Sequence, residues 1–304
     1  MRIALAGTPQ IAIPTLEWLL ASEHELVKVF TTSAKPSGRG GQYIKSDVAR
    51  WCEVNSIPCV DISHAEDFNG HLGYIDCVVV IAFGILLPQS VLDQAKHGFI
   101  NLHFSRLPAW RGAAPVQRAI ENADTDLGIT VFSLDAGMDT GPIYRTASFS
   151  RDRQMRANEA LEYLSREGVS LIEQSLADIS AGVSPKAQVS TGVSIASKIT
   201  KDEAIINWKS NADEIHRKIL AFYPNPITRT LFRGDLIKVT QGHLVDFLET
   251  QLSPGEISVS KNVVLVGTSD GAIEIVSVIP QGKSEMKAAD WARGARINPG
   301  EYFG

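Results

Sequence analysis

The run Asp76–Phe83, DCVVVIAF, has no polar position between its ends. A strand with one face in water alternates apolar and polar residues. An unbroken apolar β-run is instead buried on both faces, as in a parallel sheet covered by helices. The surrounding segments fit that frame. RIALAG, ELVKVFTT, GFINLHFS, GITVFSLD and GPIYRTASFS read as strands. IPTLEWLLAS, SDVARWCEVN, LPQSVLDQAKHG, AAPVQRAIENA and ANEALEYLSREGVSLIEQSLADI read as helices between or after them. Repeated strand–helix units predict an α/β domain, a Rossmann-like open and mostly parallel sheet spanning residues 1–182. In such a sheet the ligand crevice lies outside the carboxyl ends of the strands.

The pattern then changes. Residues 183–203 lie in a Ser-, Gly- and Ala-rich stretch without periodicity and read as a linker. Residues 204–304 contain the helix NADEIHRKILAF and then short β-like runs: TRTLFR, LIKVTQGHLV, GEISVS, NVVLVGTS and AIEIVSVIP. Short strands with turn signals predict a smaller, OB-like β-barrel.

Composition excludes several classes. The longest apolar stretch, Cys77 to Leu87, is too short to span a bilayer. The first apolar run ends at once in a turn and does not read as a signal peptide. The three cysteines, Cys52, Cys59 and Cys77, lack metal-ligand spacing and read as small buried apolar residues, reduced in a cytoplasm. A net charge of −5 argues against broad nonspecific binding of nucleic acid. Residues 31–50 nevertheless hold Lys35, Arg39, Lys45 and Arg50 against Asp47 alone, enough to hold a polyanion locally.

Asn101 and His103 sit two residues apart near the end of a predicted strand, so their side chains share one face. An amide and an imidazole there can polarise a carbonyl and move a proton. The loop that follows carries Pro108, Trp110, Arg111, Gly112 and Pro115. Asp139 lies in LDAGMDTGP, between Gly137 and Gly141, where it can orient a histidine or a water. Asp135, nearby, reads as a turn former. The turn Gly7–Pro9 has one glycine, which argues against a dinucleotide site. KPSGRGGQYIK, residues 35–45, is Gly-rich and basic, with Arg39 the expected phosphate contact.

Taken together, Asn101-x-His103, the loop Ser105–Gln117 (SRLPAWRGAAPVQ) and Asp139-Thr140-Gly141 resemble the formyl transferases that use 10-formyltetrahydrofolate. AGTP near the N-terminus, Gly38-Arg39-Gly40 and KITKDEAIINW from Lys198 to Trp208 extend the resemblance over nearly the whole chain. WRGAAPVQ most resembles members acting on methionyl-tRNA. The resemblance implies formyl transfer to the amino group of initiator methionyl-tRNA, by direct attack through a tetrahedral intermediate, for translation initiation. It implies Asn101, His103 and Asp139 as the catalytic set, with His103 protonated, Asn101 and His103 donating to the developing oxyanion, and Asp139 relaying protons through a water. Phe83, Gly84, Ile85 and Leu86, with Ser105, Arg106, Leu107 and Pro108, are the implied folate contacts. Lys35, Arg39 and Lys45 are the implied tRNA contacts. The β domain would hold the tRNA backbone through clustered Lys209, Arg217, Lys218, Arg229 and Arg233. No metal is required, and a cytoplasmic monomer is expected. Arg106 departs from the Leu common in this turn and leaves one apolar folate contact open. The alternatives are a formyltransferase acting on a small amine and a catalytically silent binding protein.

Overall fold

The computed structural model describes residues 1–37, 42–245 and 252–304. Two compact units divide it. The first comprises residues 1–115, 126–150 and 161–196, and the second 116–125, 151–160 and 197–304. Residues 183–196, read from sequence as linker, thus pack with the first unit.

In the first unit the strands in chain order are β1 (Arg2–Gly7), β2 (Glu25–Thr32), β3 (Lys35–Ser37), β4 (Gln42–Ile44), β5 (Cys59–Ile62), β6 (Cys77–Ile81), β7 (Phe99–His103), β8 (Arg111–Gly112), β9 (Asp126–Ser133), β10 (Ile143–Ser150) and β11 (Ile195–Ala196). The main sheet has the order β10-β9-β7-β6-β1-β2-β5. The ladders from β7 to β5 are parallel, whereas β9 and β10 are joined antiparallel. The sheet is therefore α/β and mostly parallel, as the alternation predicts. All five residues of β6 are buried, as a strand covered on both faces must be.

The helix expected over LPQSVLDQAKHG is shorter than its pattern suggests, Gln89–Leu92. Its next turn tightens: Gln94 N–H donates to the Val91 carbonyl and Gly98 N–H to that of Ala95. Cys52 and Cys77 are buried but Cys59 is exposed, correcting the expectation for that thiol. Cys59 opens β5, which among the described residues is an edge strand paired with β2, where less of the chain is available to cover it.

In the second unit, β12 (Thr228–Phe232), β13 (Asp235–Leu244), β14 (Ile257–Val259), β15 (Val264–Gly267), β16 (Ala272–Pro280) and β17 (Met286–Lys287) form an antiparallel sheet of order β12-β13-β16-β15-β14 with β17 on β16. The chain end joins its two edges. The Glu301 carbonyl accepts from Ile257 N–H at 2.8 Å, and Gly304 N–H donates to the Leu231 carbonyl at 3.1 Å. Phe303 lies between Trp208 and Trp291, stacked on each with ring centroids 5.5 Å apart. Phe303 is 3% exposed. Phe303→Ala is expected to cost about 3–5 kcal/mol, the usual cost of truncating a buried aromatic. Equilibrium denaturation followed by tryptophan fluorescence checks this directly.

The expected basic cluster in this unit is largely engaged by its own acids. Arg217 pairs with Asp213, Arg229 with Asp202 and Arg233 with Glu301. Arg229 and Arg233 also donate to main-chain carbonyls, of Lys201 and of Ala295 and Arg296 respectively, so part of their donor capacity is used within the unit.

Candidate active site

Asn101 and His103 both lie on β7, between β6 and β9 in the sheet, and both line one cavity of about 410 Å³. Period two along the strand does bring the pair to a shared face. The far wall comes from the segment after β6, with Phe83, Gly84, Ile85 and Leu86, and from Leu134, Met138 and Asp139 after β9. The cavity sits outside the carboxyl ends of β6 and β7, where an open α/β sheet places a ligand. An apolar wall facing a few convergent polar groups suits a small molecule with an apolar body and a polar end.

His103 is buried, and its ring is fixed by the backbone of the following loop. Nε2 stands 2.9 Å from the Trp110 carbonyl. A carbonyl only accepts, so Nε2 carries the hydrogen. Nδ1 faces Asp139 Oδ2 at 3.7 Å, longer than a hydrogen bond. Burial pushes the imidazole below its ordinary range, and the nearby Asp139 carboxylate, which pulls upward, does not overcome it. That direction favours the neutral ring, with its Nδ1 lone pair left to accept a proton, over the protonated form expected from the resemblance.

Asp139 is held by contacts that its sequence surroundings only hinted at. Its Oδ2 accepts the Gly112 N–H at 2.7 Å. Its backbone is left-handed, φ 55°, a conformation that aspartate tolerates better than most side chains. Gly141 closes the same loop: a Cβ there would stand 1.8 Å from the Ser133 carbonyl oxygen, so no larger residue fits. Asp135 takes the turn-forming role expected of it, its Oδ1 accepting from Gly137 N–H at 3.0 Å and from the Thr140 hydroxyl at 2.7 Å.

Asn101 is half-buried. Its carboxamide makes no hydrogen bond to another described residue, which leaves its N–H groups free to meet a ligand oxygen.

The implied folate contacts divide into two groups. Phe83, Gly84, Ile85 and Leu86 line the cavity that holds Asn101, His103 and Asp139. Arg106, Leu107 and Pro108 instead line a second cavity of about 480 Å³, with Tyr144, Arg145 and Lys186. Ser105 shapes the turn itself: its hydroxyl donates to the Ala109 carbonyl at 2.6 Å, and its carbonyl accepts from the Thr130 hydroxyl at 2.7 Å. Of the implied tRNA contacts, Arg39 lies outside the described residues, and Lys35 is placed by its backbone in β3, paired with Ile44. Lys45 is exposed and paired with Glu53. Arg50 pairs with Asp47. Exposed pairs of this kind contribute little to stability.

The main-chain groups of Trp110 and Gly112 were not singled out from sequence. No residue type marks a carbonyl or an N–H. Their positions depend on Ser194, whose hydroxyl accepts from Trp110 N–H at 2.8 Å and whose carbonyl accepts from Arg111 N–H at 2.9 Å. β11 then pairs in parallel with β8.

A profile of the family described as formyl transferase matches residues 1–162, and one described as formyl transferase, C-terminal domain, matches residues 198–296. The chain belongs to the formyl transferase family. Within that family it is 41% identical over 310 residues to the methionyl-tRNA formyltransferase of Thermobifida fusca (strain YX), covering 100% of this chain and 99% of the relative. Among solved structures, the N-formyltransferase of Helicobacter canadensis in complex with folinic acid and dTDP-3-aminofucose superposes with a TM-score of 0.68 at 20% identity, covering 90% of this chain and 98% of that one. HypX of Aquifex aeolicus in complex with tetrahydrofolic acid also superposes with a TM-score of 0.68, at 17% identity; the match covers 96% of this chain and 47% of that longer one. At such identities the two structures speak for the shared fold. Among the described residues, no helix is long and apolar enough to cross a membrane.

Proposed function

We propose that this chain transfers the formyl group of 10-formyltetrahydrofolate to the free amino group of initiator methionyl-tRNA, the step that prepares the initiator for translation. The observation that carries the reading is the convergence of Asn101, His103 and Asp139 on one cavity with an apolar wall, in a chain alike over its full length to a methionyl-tRNA formyltransferase.

The residues present fit a folate donor. Phe83, Ile85 and Leu86 offer the apolar wall for its ring system, and the polar trio faces the reactive end. The amine attacks the formyl carbon, and the carbonyl oxygen gains charge. Asn101 donates a hydrogen bond to that oxygen. His103 Nδ1 takes the proton that the amine loses on forming the new C–N bond. Asp139 stabilises the resulting imidazolium across the 3.7 Å gap. His103 then returns the proton to the folate nitrogen as the old C–N bond breaks, so one proton crosses and none is left over.

Lys35, Arg39 and Lys45 are the proposed contacts to the tRNA phosphates. The protein acts as a cytoplasmic monomer without a membrane partner.

The test is a transfer assay with labelled 10-formyltetrahydrofolate, methionine-charged initiator tRNA and, in parallel, methionine-charged elongator tRNA and a nucleotide-linked amino sugar. Label on the initiator alone supports the reading. Label on the amino sugar, with neither tRNA modified, overturns it.

A further inference from the structure

Gln188 lies in the stretch whose sequence shows no periodic pattern, yet its side chain is a four-way junction. Nε2 donates to the main-chain carbonyls of Asp139 and Gly141, at 2.8 Å each. Oε1 accepts from Arg111 Nε at 3.2 Å and Nη2 at 2.6 Å. Gln188 and its partners all belong to the first unit. Arg111 sits between the two backbone groups that fix the site, the Trp110 carbonyl on His103 and the Gly112 N–H on Asp139. One amide therefore ties the Asp139 loop to the loop that orients His103.

We infer that Gln188 is a positioning residue for formyl transfer, holding Asp139 at its working distance from His103; this rests on the reaction proposed above. The chemistry at the junction demands an amide. Two carbonyls need two N–H donors, and a guanidinium needs an acceptor. Glutamate supplies only the acceptor, lysine only donors, and asparagine is one methylene short. The loop needs such a tie because Asp139 stands at φ 55° and Gly141 packs against the Ser133 carbonyl. A non-glycine residue in that backbone region persists only when its surroundings hold it there. Without the tie Asp139 drifts from His103. The imidazolium formed in the reaction then loses its counter-charge, while the cavity wall of Phe83, Ile85 and Leu86 is untouched.

Gln188→Met keeps the side chain's length and removes every polar contact. Gln188→Glu keeps the Arg111 contact and removes both donors, and serves if the first variant fails to fold. Both are expected to lower kcat about tenfold to a hundredfold, the usual effect of misplacing a reacting group by around 1 Å. The KM for 10-formyltetrahydrofolate changes less than kcat does, because the Phe83 to Leu86 side of the cavity is untouched. In Gln188→Met the NMR titration midpoint of the His103 ring moves to lower pH, since Asp139 no longer pulls it upward. A structural role alone lowers stability without moving that titration. A parent-like kcat in the variants overturns the inference, as does an unmoved His103 midpoint in Gln188→Met. If the parent itself formylates no tRNA, the proposed reaction fails, and the His103 titration still decides whether Gln188 positions Asp139.

Discussion

Replacing His103 by glutamine lowers kcat for formyl transfer by about 10²–10⁴-fold, the range supplied by a positioned general base. Glutamine retains an N–H that can reach the Trp110 carbonyl, so the loop anchored at 2.9 Å by Nε2 keeps its partner. It has no basic nitrogen in place of Nδ1. The amine's proton then loses the nitrogen placed to accept it and must go to a less well placed carboxylate or to water. The KM for the folate donor changes little, because the apolar wall of Phe83, Ile85 and Leu86 is intact. Steady-state kinetics on charged initiator tRNA, with folding checked by circular dichroism, measure both quantities. A glutamine variant with parental kcat would remove His103 from the mechanism.

The second large effect is at Asn101. Asn101→Leu matches the carboxamide in shape and removes its donors. It is expected to lower kcat by about 10²–10³-fold, as loss of one preorganised donor to an oxyanion usually does. The half-buried Asn101 side chain has no hydrogen bond to another described residue, so leucine orphans nothing in the protein and stability should hold. That separates the two substitutions in kind. A donor that acts on the oxyanion alone gives a loss at Asn101 that does not vary between roughly pH 6 and 8, the range in which histidines titrate. Rate measurements across that range, with leucine and parent side by side, provide the check. A loss that grew or shrank with pH would mean that Asn101 acts through His103 instead of on the oxyanion.

The residues that the sequence made legible are those whose type states their chemistry. The unbroken run in DCVVVIAF marked a strand buried on both faces, and β6 is one. Period two placed Asn101 and His103 on a shared face, and both line the cavity. Gly137 and Gly141 signalled a tight loop around Asp139, and its backbone is left-handed there. What stayed hidden depends on burial and on long-range contact. The downward pull on the His103 pKa comes chiefly from desolvation, which the string of letters does not carry. Arg217, Arg229 and Arg233 count as cations in the sequence, but each has an acid beside it in the fold. Gln188 is 49 residues from Asp139 and 77 from Arg111, with no periodic pattern to point to either. Arg106 and Pro108 belong to the turn that carries the resemblance, yet they face a different cavity from the catalytic trio.

The mechanism turns on a neutral His103 acting as the base. Burial holds its folded pKa below the ordinary 6.5, so the basic form persists down to that lowered value and is lost only on further acidification. The direct measurement is the single-turnover rate of formyl transfer to methionine-charged initiator tRNA as a function of pH, with parent protein and saturating 10-formyltetrahydrofolate. The predicted profile is flat through neutrality and falls on the acid side with a midpoint below 6.5. A rate that rises as the pH falls through this range would show that the protonated ring is the working form, and would contradict a neutral base.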